Sequence, residues 1–195
     1  MGKIILLFGK HTDDKIIDAK RAVDTALEKL PQGSKIFTIV EYGGPTYEYF
    51  EIRTLILQSE ECLKVFFNST TNCLQKIVRS FNQEEEPDLS DYGGSFFPVE
   101  LPRYLSGKGI KLFLEEITSE DYKELVKNYH ETQQQGHKDD IDFLVKKRDP
   151  PVVNQIKKIM EQDSNNSFVI VRGLHHKPLK EYLEEEGFEV ESIDY

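Results

Sequence analysis

The chain has 195 residues and a formal net charge of −10, with 38% hydrophobic and 31% charged residues. Its length suits one substantial hydrophobic core, so we expect a single domain over 1–195. The acidic balance argues against nucleic acid or an anionic membrane as a partner, because both attract clustered Lys and Arg. No apolar stretch resembles a membrane span or a signal peptide, so we expect a cytoplasmic protein.

The first predicted unit is a strand, a helix and a second strand. The first strand is predicted from Lys3 to Phe8, in a run that is short, continuous and apolar, as is typical of a strand buried on both faces of a parallel sheet. Apolar residues at helical spacing follow, and ProGlnGly at 31–33 ends that helix. The second strand is predicted from Lys35 to Glu41.

A helical insertion with an acidic loop is predicted over 46–104, within the α/β domain. Residues 46 to about 81 have a helical pattern, which we expect to be interrupted at AsnSerThrThrAsn, 68–72. Segment 83–98 is acidic, contains Gly and Pro and has no period, so it is predicted to be a loop. The pattern leaves open whether this loop is a lid.

The C-terminal half continues to alternate strands and helices. Strands are predicted at Gly109 to Glu116, at Phe168 to Arg172 and in the final FEVESI run. In the helix before the fourth strand, Asp149 suits an N-cap position because two prolines follow it. This alternation predicts a central, mainly parallel sheet flanked by helices.

Four of the predicted strands end in groups that bind protons or metals. His11 follows the first strand, Glu41 the second, Glu115 and Glu116 the third, and His175 and His176 the fourth. The carboxyl ends of parallel strands share one edge of the sheet, where ligands bind. Residues far apart in the chain are therefore expected to be neighbours in a site.

His11, Glu41 and His176 are the candidate catalytic residues. An imidazole at a glycine turn can act as a general base or a metal ligand near neutral pH, and a carboxylate can orient it or share the metal. The same three residues are the candidate ligands of a divalent metal ion. His175 is an alternative to His176 that the sequence leaves open.

Three further residues are candidates for substrate binding. Arg148, at a helix entry, could hold a carboxylate or phosphate. Lys10 precedes the first histidine, and Glu115 ends the third strand. Adjacent strand residues face opposite ways, so at least one of Glu115 and Glu116 is expected to be solvated.

The order of these short motifs resembles the superfamily of erythromycin esterase, the ChaN-like haem-binding lipoproteins and the TraB proteins, which includes the TIKI metalloproteases. The motifs are Gly9-Lys10-His11, Glu41, Arg148-Asp149 and the stretch from Gly173 to His176. The first is one residue shorter than the usual Gly-x-x-His, and valine stands at 152 where methionine is usual. The resemblance implies an α/β fold and either a hydrolase, metal-dependent in some members, or a protein that binds a ligand.

Three functions stay open at this point. The first is a small hydrolase, with or without a metal ion, acting on a small-molecule or peptide ligand. The alternative is a ligand-binding or regulatory protein that uses the same pocket without turnover. A structural interaction module would instead neutralise its strand-end charges in salt bridges and leave no cavity.

Overall fold

The computed structural model describes residues 2–41, 50–85, 97–135 and 147–195. Within these ranges the chain forms five strands, β1 (Ile4–Gly9), β2 (Lys35–Val40), β3 (Lys111–Leu114), β4 (Asn166–Gly173) and β5 (Val190–Asp194). It also forms seven α-helices, α1 (Ile16–Glu28), α2 (Phe50–Gln58), α3 (Glu60–Asn82), α4 (Phe97–Gly107), α5 (Ser119–Gln135), α6 (Asp149–Gln162) and α7 (Leu179–Glu185). A short 3-10 turn, Leu174–His176, follows β4. None of these helices is long and apolar enough to cross a membrane.

The five strands form one sheet in the order β3-β2-β4-β1-β5, and every neighbouring pair is parallel. The prediction of a mainly parallel sheet flanked by helices is therefore confirmed. In the pairing of β1 with β4, Gly9 lies opposite Gly173. The two glycine turns that lead to His11 and His176 thus leave the sheet side by side.

Two hydrophobic cores cover opposite faces of the sheet. Alternate residues of β1, Ile5 and Leu7, pack with α1, α3 and α4 on one face. Ile4 and Leu6 pack with α6 and α7 on the other face. The helix after β1 and the helix after β4 therefore lie on opposite sides of the sheet. Because β1 and β4 are neighbours, the chain leaves two adjacent strands toward opposite faces of the sheet. Open α/β sheets bind ligands at such a point.

The predicted interruption of the long helical region at 68–72 is wrong. Residues 68–72 lie inside α3, which is continuous over Glu60–Asn82 and buries Thr70. The break lies at Ser59, between α2 and α3, where the backbone is extended and the Ser59 side chain accepts a hydrogen bond from the Cys62 N–H. Polar residues weaken helix propensity only slightly, so the buried face of α3 outweighs their preference for turns. Of the predicted acidic loop, residues 86–96 lie outside the described residues.

Candidate active site at the carboxyl edge of the sheet

The side chains that follow three strands meet at the Glu41 carboxylate. His11 Nδ1 lies 3.4 Å from Glu41 Oε2, and His176 Nε2 lies 3.4 Å from Glu41 Oε1. The two imidazoles therefore approach different oxygens of one carboxylate, although they are separated by most of the chain. The neighbouring carboxyl ends of β1, β4 and β2 bring them together, as a parallel sheet requires.

Glu41 is held in its ionised form. The Gly173 N–H lies 3.4 Å from Oε2, and Arg148 Nη1 lies 3.4 Å from Oε1. Burial alone would raise the pKa of Glu41, but His11, His176 and Arg148 outweigh burial and hold that pKa well below its usual range. The carboxylate is thus a fixed negative charge between two imidazoles.

Asp149 fixes the orientation of His176. Its Oδ1 lies 2.5 Å from His176 Nδ1, and both residues are buried. Burial opposes protonation of His176, but the hydrogen bond to Asp149 and the nearby Glu41 carboxylate outweigh it and raise the pKa of the imidazole. Because Asp149 holds Nδ1, Nε2 is the nitrogen that faces Glu41.

His11 differs from His176 in exposure and in the direction of its pKa shift. The His11 side chain is 26% exposed, and that of His176 is 1% exposed. Burial lowers the pKa of His11 and Arg172 lowers it further, against the opposing effect of Glu41. His11 is therefore neutral at pH 7 and can accept a proton.

A second charged cluster, formed by Glu115, Arg148 and Arg172, adjoins Glu41 through Arg148. Glu115 accepts hydrogen bonds from Arg148 Nε at 3.1 Å and Arg148 Nη2 at 2.7 Å, and from Arg172 Nη1 at 2.8 Å. Burial raises the pKa of Glu115, but the two guanidinium groups outweigh it and bring that pKa to about 2. Glu116, its neighbour, is exposed, as the alternation of strand side chains predicts.

The structure places the three substrate-binding candidates differently. Arg148 and Glu115 are buried and bind each other, so their geometry is that of a support for Glu41. Lys10 is exposed. The side chain of His175 lies outside the described part of the chain, so only His176 is placed in the site.

Two residues of the site were not identified from the sequence. Asp149 was expected to cap a helix, but its side chain contacts His176, and the N-cap position is occupied by Arg148 without a side-chain cap. Arg172 is fully buried at the end of β4. A single arginine inside the apolar run FVIVRG was the available signal for it, because a buried charge requires a partner.

The described residues contain no group of three or more His, Cys, Asp or Glu side chains arranged to bind a metal ion. The set of His11, Glu41 and His176 does not fit one as it stands, because the Arg148 guanidinium lies against the same Glu41 oxygen that faces His176. A divalent ion there would be repelled by this buried positive charge. The metal ion stays a prediction from the sequence.

Comparison with known proteins adds no further constraint on the site. No family model, curated protein or solved structure matches the chain.

Proposed function

We propose that this chain is a hydrolase in which His11 acts as the general base at the carboxyl edge of the sheet. The observation that carries the proposal is the row Asp149, His176, Glu41 and His11, in which each side chain lies 3.4 Å or less from the next. The row runs from a fully buried carboxylate to the His11 imidazole, whose side chain is 26% exposed, whose Nε2 atom is buried and whose pKa is lowered. The resemblance to the erythromycin esterase, ChaN-like and TraB superfamily is compatible with a hydrolase and equally with a protein that binds a ligand.

The proposed reaction uses His11 first as a base and then as an acid. Neutral His11 takes a proton from water while the water oxygen attacks the acyl carbon of an ester. It returns that proton to the leaving oxygen as the carbon–oxygen bond breaks, so acid and alcohol are formed and His11 is neutral again. Glu41 orients the ring and stabilises the transient imidazolium, the role that a buried carboxylate has in hydrolase triads.

His176 and Arg148 are positioning residues in this proposal. His176 contacts one Glu41 oxygen, and its own ring is fixed by Asp149. Arg148 approaches the same oxygen of Glu41 and is anchored by Glu115. Both residues lower the pKa of Glu41, so the carboxylate stays unprotonated where His11 needs it.

A screen of carboxylic ester, peptide and phosphoester substrates tests the proposal. We expect His11→Ala to lower kcat by about 10²-fold to 10⁴-fold, because it removes the proposed base. His176→Ala should lower kcat by a similar order, because it removes a group that positions Glu41 beside His11. Lys177→Ala is the matched control, since Lys177 is exposed and adjacent to His176. Turnover that is equal in wild type and His11→Ala would show that His11 is not the base.

Removal of metal ions distinguishes a hydrolase that works through His11 alone from one that needs a divalent ion. Turnover through His11 alone should survive dialysis against a chelator. If turnover is lost and a divalent ion restores it, the sequence prediction of a metal is supported and the metal-free step is wrong.

A ligand-binding protein is the second candidate function. It is favoured by the resemblance, since part of that superfamily binds a ligand. The burial of Arg148, Glu115, Asp149 and His176, whose charges are balanced inside the protein, is instead what a structural interaction module would show. Such a protein would retain a ligand through purification and show no His176-dependent turnover of any substrate in the screen.

A further inference from the structure

Tyr195 lies beside the site through the pairing of the last strand. β5 is parallel to β1, and the Tyr195 N–H donates a hydrogen bond of 2.9 Å to the Phe8 carbonyl. The Tyr195 ring packs directly on Gly9, where an added Cβ atom would lie 2.3 Å from a ring carbon. Only glycine leaves room for the ring here, at the turn that leads to His11.

The Tyr195 hydroxyl is buried and, among the described residues, has no hydrogen-bond partner. A buried tyrosine usually finds a partner for its O–H. Burial raises the pKa of this phenol, and the negative charge of Glu41 raises it further. The phenol therefore stays protonated at neutral pH and remains a hydrogen-bond donor.

We propose that Tyr195 is a further catalytic residue, whose hydroxyl donates a hydrogen bond to the substrate oxygen that becomes negatively charged when water attacks the acyl carbon. The inference rests on the proposed hydrolase function. No proton is transferred in this step, because the phenol only stabilises the oxyanion until the leaving group departs. The donor without a partner among the described residues, and the position of the ring on Gly9 at the turn that leads to His11, support this role.

The substitution Tyr195→Phe tests this role, because it removes the hydroxyl and keeps the ring on Gly9. With an ester that wild type hydrolyses, we expect kcat to fall by about 10²-fold with little change in KM, as for the loss of one oxyanion donor. A phosphonate analogue of the tetrahedral intermediate should lose affinity by a similar factor. The melting temperature should stay close to that of wild type, since the packing is retained.

Tyr104→Phe is the matched control. The Tyr104 hydroxyl contacts Asp24 at 2.8 Å on α1, away from the Glu41 cluster, so its loss should leave kcat unchanged. If Tyr195→Phe retains wild-type kcat and analogue affinity while His11→Ala is inactive, the role of Tyr195 is wrong and the hydrolase proposal stands. If wild type shows no His11-dependent turnover, both are overturned. Equal losses in the two tyrosine variants also overturn the role of Tyr195.

Discussion

At the scale of single residues, the contact between Asp149 and His176 decides how the site is oriented. Asp149 begins α6 and His176 ends the turn after β4, so the contact joins a helix start to a strand end. With Nδ1 held by Asp149, the ring has one nitrogen left for Glu41. The direction of a buried ring is set in this way by a carboxylate that itself takes no part in the chemistry.

Asp149→Asn should lower the pKa of His176. Glu41 would remain, but the carboxylate that accepts the hydrogen bond from Nδ1, the largest effect that raises this pKa, would be replaced by a neutral amide, while the opposing burial stays. The asparagine also permits the opposite ring tautomer, so we expect kcat to fall by about 10²-fold or more. Histidine NMR titration of wild type and variant measures the first effect, and ester turnover measures the second.

Asp18→Asn serves as the control for this prediction. Asp18 lies on α1, is about 39% exposed and contacts Lys15, so its charge is screened by solvent. We expect the His176 titration and the turnover to match those of wild type. A His176 pKa that is the same in Asp149→Asn and wild type would contradict the orientation assigned to Asp149.

At the scale of secondary-structure elements, Ser59 separates two helices that would otherwise join. Its extended backbone stops α2, and its side chain accepts a hydrogen bond of 3.3 Å from the Cys62 N–H at the start of α3. The break lets Ile56 of α2 and Leu63 of α3 pack together with Tyr122 of α5 in one small core. A capping residue thus directs the path of the chain between β2 and β3.

Ser59→Ala should lower the free energy of unfolding by about 1 kcal/mol, because the N–H groups at the start of α3 lose their side-chain acceptor. Urea unfolding followed by circular dichroism measures the change. Ser69→Ala is the control, since Ser69 is exposed in the middle of the same helix and its loss should change stability by less than about 0.5 kcal/mol. If the two variants are equally stable, the Ser59 side chain is not an effective cap.

The correct and the incorrect predictions for the elements have different physical origins. Apolar runs such as IILLFG and FVIVRG predict strands well. Each is buried on both faces of the sheet, so its apolar pattern does not depend on which strands lie beside it. The break at Ser59 was missed because one hydrogen bond and a local backbone turn produce it. The break expected at 68–72 was predicted from local propensity, which tertiary packing overrides.

At the scale of the whole molecule, the topology explains why part of the site could be predicted. Parallel strands place their carboxyl ends on one edge, so the proximity of His11, Glu41 and His176 follows once the strands are recognised. The contact of Arg172 with Glu115 requires the sheet order as well, because β2 lies between the strands concerned. Sheet order depends on the packing of all the helices, and no local pattern predicts it.

The cluster of Glu115, Arg148 and Arg172 joins three elements across the sheet. Glu115 follows β3, Arg172 lies in β4 and Arg148 precedes α6, and all three are buried. Removing the Glu115 carboxylate would take from Arg148 and Arg172 the anion that they share, and breaking a buried ion pair in this way is strongly destabilising. The fold therefore depends on the ionisation of Glu115.

Glu115→Gln should make this dependence visible as a change with pH. The pKa of Glu115 is about 2 in the folded protein against 4.5 for an ordinary glutamate, so its charge stabilises the fold above pH 4.5, and this stabilisation is lost as the pH falls from 4.5 towards 2. We expect the variant to be about 3 kcal/mol less stable than wild type at pH 7, and the difference to shrink below pH 4.5. Urea unfolding of both proteins between pH 7 and pH 3 measures this difference in stability.

Glu116→Gln is the control, because it alters the exposed neighbour of Glu115. This variant should stay within about 0.5 kcal/mol of wild type at pH 7. A Glu115→Gln deficit that is the same at every pH would mean that altered packing, and not the lost charge, weakens the fold.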